Sequence, residues 1–147
     1  MHQVDFALKN QYGEVVSPID LPGKWILLSF HPLAWTSVCA QQMKDLDGVY
    51  EQLTARGVQP LGISVDAVPC KKAWADHLQL ENLPILSDFW PHGELAENVD
   101  VFMPSRGTSG RANVLLNVDR EVVFTRNYEM SQVPDVKELL EMIDREL

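Results

Sequence analysis

The chemistry available to this chain centres on one sulfur. Cys39 closes the stretch Phe30-His31-Pro32-Leu33-Ala34-Trp35-Thr36-Ser37-Val38-Cys39. That stretch leaves the apolar run Trp25 to Phe30, which reads as a buried strand, and turns at Pro32. An amphipathic helix is then predicted to begin within a residue or two of Cys39. A thiol in the first turn of a helix meets unpaired backbone N–H groups and the positive end of the dipole, and both favour the thiolate. A thiolate so placed is a nucleophile and the reduced end of an oxidation ladder.

Other residues with chemical reach are few. Cys70 stands 31 positions further on, so the two cysteines form neither a Cys-x-x-Cys pair nor a zinc pattern, and they are too few for a disulfide scaffold. The four histidines, His2, His31, His77 and His92, show no ligand spacing, and no metal site is expected. The bland alternative for either cysteine is a small buried hydrophobe, and it is stronger for Cys70, which shares a helical face with Trp74 and Leu78.

The elements that must position Cys39 follow from periodicity and punctuation. Phe6 to Leu8 and Val15-Val16 flank the turn-rich Asn10-Gln11-Tyr12-Gly13 and predict an N-terminal hairpin. Met43, Leu46, Tyr50 and Leu53 recur at helical spacing from about Ser37 to Arg56, with Gly57 as the stop. Pro60 to Val65 reads as a second buried strand, Asp66 to Pro69 as a loop, and Pro69 as the opening of a helix carrying Cys70. Leu83 to Leu86 reads as extended, and Ser87-Asp88 as a cap for a short helix around His92 to Asn98. Residues 103 to 110 read as a loop, and Asn113 to Leu116 with Glu121 to Thr125 as a hairpin. Pro134 opens a last helix striped by Val136, Leu139, Leu140 and Ile143. Strands alternating with helices, closed by a hairpin, predict an α/β fold with a central mixed sheet covered on both faces.

Composition bounds the rest. At 147 residues, with 46% apolar and 22% charged positions, the chain is expected to be a single globular domain over 1–147. A formal net charge of −9, with no basic run longer than Lys71-Lys72, argues against nucleic acid as a partner. The longest apolar run is too short to cross a bilayer, and the start Met1-His2-Gln3-Val4-Asp5 does not resemble a signal peptide. No membrane association is expected, and the cytoplasm is the expected compartment.

Pro32-x-x-x-Thr36-x-x-Cys39 resembles the Pro-x-x-x-Thr-x-x-Cys motif of the peroxiredoxins, the alkyl hydroperoxide reductase and thiol-specific antioxidant family. The resemblance extends through Gly23-Lys24-Trp25, Gly62-Ile63-Ser64-Val65-Asp66, Ala73-Trp74 and Leu86-Ser87-Asp88-Phe89-Trp90-Pro91-His92-Gly93. The last run, together with Pro32-Leu33-Ala34, is similar to the alkyl hydroperoxide reductase E-like or bacterioferritin-comigratory-protein-like members. The resemblance implies a thioredoxin-like fold and a thiol-dependent peroxidase needing no haem, selenium or metal cofactor.

By the same resemblance Cys39 is the peroxidatic cysteine, which attacks a peroxide oxygen and becomes a sulfenic acid. Thr36 would accept from the peroxide while donating to the thiolate, and Pro32 would shield the thiol from bulk water. The family's arginine maps onto Arg111, whose cationic fork can stabilise the thiolate and the peroxide oxygens. Ala40 and Gln42 depart from the family's common Thr and Glu, which weakens the expectation of a polar network behind the thiol. Arg120 replaces a common turn glycine. Cys70 stands where some members carry a resolving cysteine, and the chain lacks the two other resolving positions: Lys44 occupies one and no cysteine follows Cys70. A Cys39–Cys70 disulfide is thus the expected but open outcome, formed after the first turn around Cys39 unwinds. The implied partners are hydrogen peroxide or organic hydroperoxides, a thiol donor such as thioredoxin or a glutaredoxin-like protein, and a second copy in a homodimer. Trp35 is expected near the thiol, shaping its pocket or a dimer contact.

A magnitude shows why the neighbours matter. Lowering a thiol pKa from about 8.5 to roughly 6 raises the thiolate fraction at neutral pH about 30-fold. The accompanying loss of nucleophilicity, with a slope of ~0.4–0.5, is on the order of tenfold. Acidity alone leaves only a few-fold gain, so most of the rate must come from orienting the O–O bond and stabilising the leaving oxygen. Two rival functions share the first chemistry: a thiol–disulfide oxidoreductase, which the absence of a vicinal pair disfavours, and a non-enzymatic redox sensor.

Overall fold

The computed structural model describes residues 3–147, and His2 lies outside the described residues. The chain opens with β1 (Leu8–Lys9) and β2 (Val15–Val16), paired antiparallel. Asn10 holds the turn between them, its Oδ1 accepting from the N–H groups of Tyr12 and Glu14. The hairpin is shorter than predicted because Phe6 packs into the core instead of joining the ladder.

β3 (Trp25–Phe30) follows, and its side chains alternate between two buried faces as expected of a covered strand. The single helix predicted to Arg56 is in fact two, α1 (Ser37–Gly48) and α2 (Tyr50–Ala55), separated at Val49. Gly48 followed by a β-branched residue is a weak point in a helix. β4 (Val58–Ser64) and α3 (Val68–Leu78) come next, then β5 (Ile85–Ser87) and α4 (Glu94–Asn98). Asp88 caps α4 from a distance, its carboxylate accepting from the N–H groups of Leu95 and Ala96.

Residues 103 to 110 are not only loop. β6 (Phe102–Met103) and β7 (Thr108–Ser109) form a small antiparallel pair of their own. β8 (Arg111–Leu116) and β9 (Val122–Tyr128) make the closing hairpin, and both extend beyond the predicted strands. Arg120 at its turn adopts φ 64°, the left-handed conformation that a glycine would supply without strain. The chain ends with α5 (Val136–Glu146), capped by Asp135.

The main sheet runs β2-β1-β5-β4-β3-β8-β9. β3, β4 and β5 are parallel, and the flanking pairs are antiparallel, so the sheet is mixed as predicted. Residues from α1, α2, α3 and α5 pack against one face around Leu27, Leu115 and Ile85, and Cys39 lies in this layer. α4 and the N-terminal segment cover the other around Leu28, Ile63 and Val114. Gly62 in β4 sets how closely α1 seats: a Cβ there would come within 2.5 Å of the Met43 sulfur and 2.9 Å of Ile85 Cγ2. α1 thus lies close against the strand beside β3.

Candidate active site

Between β3 and α1 the backbone makes a fixed loop. The Ala34 N–H donates to Asp66 Oδ2 at 2.8 Å, tying the loop to the segment after β4. Trp35 then takes φ 67°, left-handed for a bulky residue, before Thr36 returns to extended backbone and the helix begins. Cys39 is the third residue of α1 and is fully buried. The intrahelical ladder starts with the Ala40 N–H to the Thr36 carbonyl at 2.9 Å, so the preceding N–H groups lie free of it around the thiol.

Arg111, the first residue of β8, sends its guanidinium to the sulfur. Nη1 donates to Cys39 Sγ at 3.2 Å and to Gln42 Oε1 at 2.8 Å, while Nε and Nη2 both hold the Met130 carbonyl, at 3.2 and 2.8 Å. Gln42 sits one turn beyond Cys39, and its amide nitrogen donates to Ser29 Oγ and the Phe30 carbonyl. A polar network therefore does stand behind the thiol, against the weakened expectation, and it is built on the neutral amide of Gln42. Among the described residues Arg111 makes no ion pair, so no neighbouring carboxylate neutralises its charge beside the sulfur. Arg111 is a buried strand residue, not a surface loop charge.

A cavity of about 420 Å³ opens onto this group, lined by Pro32, Leu33, Thr36, Ser37, Val38, Cys39, Arg106, Thr108, Arg111 and Met130. All four sequence-predicted residues, Cys39, Thr36, Pro32 and Arg111, line it together. One expected bond is absent. The Thr36 hydroxyl donates to the Leu33 carbonyl at 2.9 Å, not to the sulfur, because the turn before the helix offers that carbonyl first. Its oxygen keeps lone pairs with which it can accept a hydrogen bond.

Cys70 lies elsewhere, half-buried as the third residue of α3. Its thiol approaches Asp66 Oδ1 at 3.7 Å, and burial first, then the Asp66 charge, pushes it above the ordinary thiol range. Both cysteines are free. Trp35 belongs to this side as well: it is exposed, stacks on His77 at 5.1 Å between ring centroids, and does not line the cavity. Sequence reasoning missed the Met130 carbonyl and the Asp66 clasp. A carbonyl carries no residue-type signal, but an acidic residue directly after a buried strand could have suggested a tie to the adjacent loop. Among the described residues no cluster of side chains is arranged to hold a metal ion.

The model of the AhpC/TSA family matches residues 2–125. The chain belongs to that family, the peroxiredoxins. This peroxiredoxin is 33% identical over 135 residues to alkyl hydroperoxide reductase E of Mycobacterium tuberculosis, covering 91% of this chain and 86% of the relative. It is 30% identical over 114 residues to alkyl hydroperoxide reductase C of Staphylococcus aureus, covering 76% of this chain and 59% of the relative. Among solved structures it superposes on the Enterococcus faecalis AhpC with a TM-score of 0.87 at 23% identity, covering 99% of this chain and 89% of that one. That likeness carries the fold, which is thioredoxin-like, and the named relatives carry the class: a thiol peroxidase, an oxidoreductase. No helix among the described residues is long and apolar enough to cross a membrane.

Proposed function

We propose that this peroxiredoxin reduces hydroperoxides through Cys39 as the peroxidatic nucleophile. The observation that carries the reading is the Arg111 Nη1 donation to Cys39 Sγ, both residues lining a cavity whose volume of about 420 Å³ is large enough to admit a peroxide. The thiolate attacks the distal oxygen of R–O–O–H, forming an S–O bond as the O–O bond breaks. Sulfur is oxidised to the sulfenic acid, and the peroxide is reduced to an alkoxide or hydroxide that takes up one proton. Arg111 donates to the sulfur and to the charge growing on the leaving oxygen. Thr36 Oγ1, its own proton committed to Leu33, accepts from the peroxide O–H and so orients the O–O bond. Pro32 forms part of the cavity wall.

Recycling proceeds through Cys70. Its thiolate attacks the sulfenic sulfur, a Cys39–Cys70 disulfide forms, and hydroxide leaves as water after protonation. A disulfide needs Cα atoms within roughly 7 Å, so the first turn of α1 unwinds to reach it. A dithiol donor of the thioredoxin or glutaredoxin type then returns both cysteines to thiols. The reading takes the enzyme as a single domain acting as a homodimer in the cytoplasm. The test is stopped-flow peroxide reduction with mass spectrometry after one equivalent of oxidant. The expected product is the Cys39–Cys70 disulfide in wild type and a lasting Cys39 sulfenic acid in Cys70→Ser. A wild-type sulfenic acid that persists beside a free Cys70 would remove the resolving role and leave the peroxidatic one.

A further inference from the structure

The cavity lined by Cys39 is larger than a peroxide group alone requires. Hydrogen peroxide fills roughly 60 Å³, twice the share of a water molecule in the liquid. The cavity holds about 420 Å³. Pockets of roughly 300–1,000 Å³ are those that take small organic ligands, with mostly apolar walls and a few placed polar groups. These walls sort in the same way. Pro32, Leu33, Val38 and Met130 are apolar, while Thr36, Cys39 and Arg111 make the reacting group. Arg106 lines the cavity too and has no part in that group.

Arg106 lies in the turn between β6 and β7, which pair Met103 with Thr108 and Phe102 with Ser109. The Met103 carbonyl accepts from the N–H groups of Arg106 and Gly107, at 3.0 and 2.9 Å. Gly107 takes φ 72°, and its carbonyl accepts from His92 Nε2 at 2.6 Å. The backbone that presents Arg106 is therefore held from two sides, while its side chain is exposed. Among the described residues Arg106 makes no ion pair. Arg111, by contrast, is committed to Cys39, Gln42 and the Met130 carbonyl. The chain carries 21 acidic residues against 12 basic ones, yet among the described residues two arginines and no carboxylate line this cavity. In a protein of net charge −9 the cavity is a local cationic site, and its low-dielectric walls concentrate that field on whatever enters. The chemistry that answers a free guanidinium is a carboxylate, which it can grip by two parallel N–H···O bonds.

We propose that Arg106 is a specificity-determining residue, selecting organic hydroperoxides that carry a carboxylate on an apolar body. The inference rests on Cys39 being the peroxidatic nucleophile. The apolar body lies against Leu33, Val38 and Met130, the O–O group meets Cys39 and Arg111, and the carboxylate pairs with Arg106 at the β6–β7 turn. The S–O bond forms as the O–O bond breaks, and the leaving oxygen takes up one proton, so the product is a hydroxy acid. Binding energy from a remote group of this kind raises the rate by holding the O–O bond in place. Hydrogen peroxide and uncharged hydroperoxides have no group with which to draw on it.

The experiment is stopped-flow oxidation of Cys39 by hydrogen peroxide, by a medium-chain hydroperoxy carboxylic acid and by the methyl ester of that acid. The acid and its ester share one body, so the ratio of their rates isolates the charge. In wild type at low ionic strength the acid should react about fivefold faster, the worth of one well-placed exposed ion pair. That ratio should fall toward one at about 1 M salt, where the pair is screened. Arg106→Gln should bring it to about one at low salt, and Arg106→Glu should turn the preference toward the ester. A wild-type ratio of one, or a preference that survives in Arg106→Gln, overturns the proposal. So does a folded Arg106→Gln that slows all three substrates by one factor, since a structural role alone does that. The salt series needs no variant, so a preference for the acid that salt leaves untouched also sinks the inference. Failure of all three peroxides to oxidise Cys39 in wild type would instead sink the underlying reading, and oxidation without preference would sink this inference alone.

Discussion

The two cysteines occupy the same position in two neighbouring βα units. Cys39 is the third residue of α1, after β3, and Cys70 is the third residue of α3, after β4. β3 and β4 are adjacent parallel strands, and both helices pack on the same face of the sheet. Helix dipole and free N–H groups are therefore close to matched for the two sulfurs. What differs is the nearest charge. Cys39 receives a guanidinium N–H from Arg111, whereas Cys70 lies against the carboxylate of Asp66. A cation beside sulfur favours its anion, and an anion disfavours it. On the proposed reading, the contrast between the two thiols is set less by where the helix places each than by what the next strand or loop sends to meet it.

The largest test of that difference removes each sulfur in turn. Cys39→Ser should abolish peroxide reduction to the level of buffer, measured by stopped-flow with hydrogen peroxide and an organic hydroperoxide. Cys70→Ser should keep the first oxidation within about twofold, because replacing the thiol by a hydroxyl leaves the Arg111 contact untouched. Equal losses in the two variants would mean that the two environments do not differ as their charges imply.

Next comes the cation. Arg111→Met removes the donor to sulfur while keeping an apolar stem in the space. The second-order rate constant should fall by about 10²–10³, the usual loss when one preorganised donor to a developing charge is removed. Gln42 and the Met130 carbonyl would lose their partner too, so the companion variant is Arg111→Lys. Lys keeps the charge but not the planar fork, and should recover only part of the rate. Full recovery would mean that net charge alone, not the two-sided grip on Met130 and Gln42, positions the donor.

Much of this arrangement was legible before the structure. The strand Trp25–Phe30 has no polar residue but Ser29, and a helix start near Cys39 followed from Pro32 and the spacing of Met43 and Leu46. Asp88 as a cap was readable because a carboxylate before a short apolar pattern serves no other local purpose. The break at Val49 was not, because the apolar spacing runs through it unchanged while only Gly48 weakens the backbone. Nor was the β6–β7 pair, whose strands of two residues each are too short to show alternation. In the site, it was readable which side chains meet at one cavity, because a thiol, a hydroxyl and a guanidinium are distinctive residue types. The Met130 carbonyl and the Thr36-to-Leu33 bond were not, since backbone acceptors exist at every position and only the fold selects one. The turning inward of Lys71 was hidden for a related reason. Lys71-Lys72 reads as a solvated pair, and only the helix phase set by Trp74 and Ala75 buries the first of them.

The smallest expected effect concerns the anion on the other side of the comparison. Asp66→Asn removes the charge beside Cys70 and keeps an oxygen able to accept from the Ala34 N–H, so the active-site loop stays clasped. Asp66 raises the Cys70 thiol, so its loss must lower the midpoint. Burial is the larger cause and is unchanged, so the midpoint should remain above the ordinary range. Alkylation of Cys70 by iodoacetamide in a Cys39→Ser background, at a pH below the midpoint, should therefore quicken by about threefold, the change in thiolate fraction for a shift of about half a unit. A rate that falls or stays level would mean that neither the charge of Asp66 nor its acceptance from the Cys70 S–H holds that thiol up, and that burial alone does. The contrast between the two thiols would then rest on Arg111 by itself.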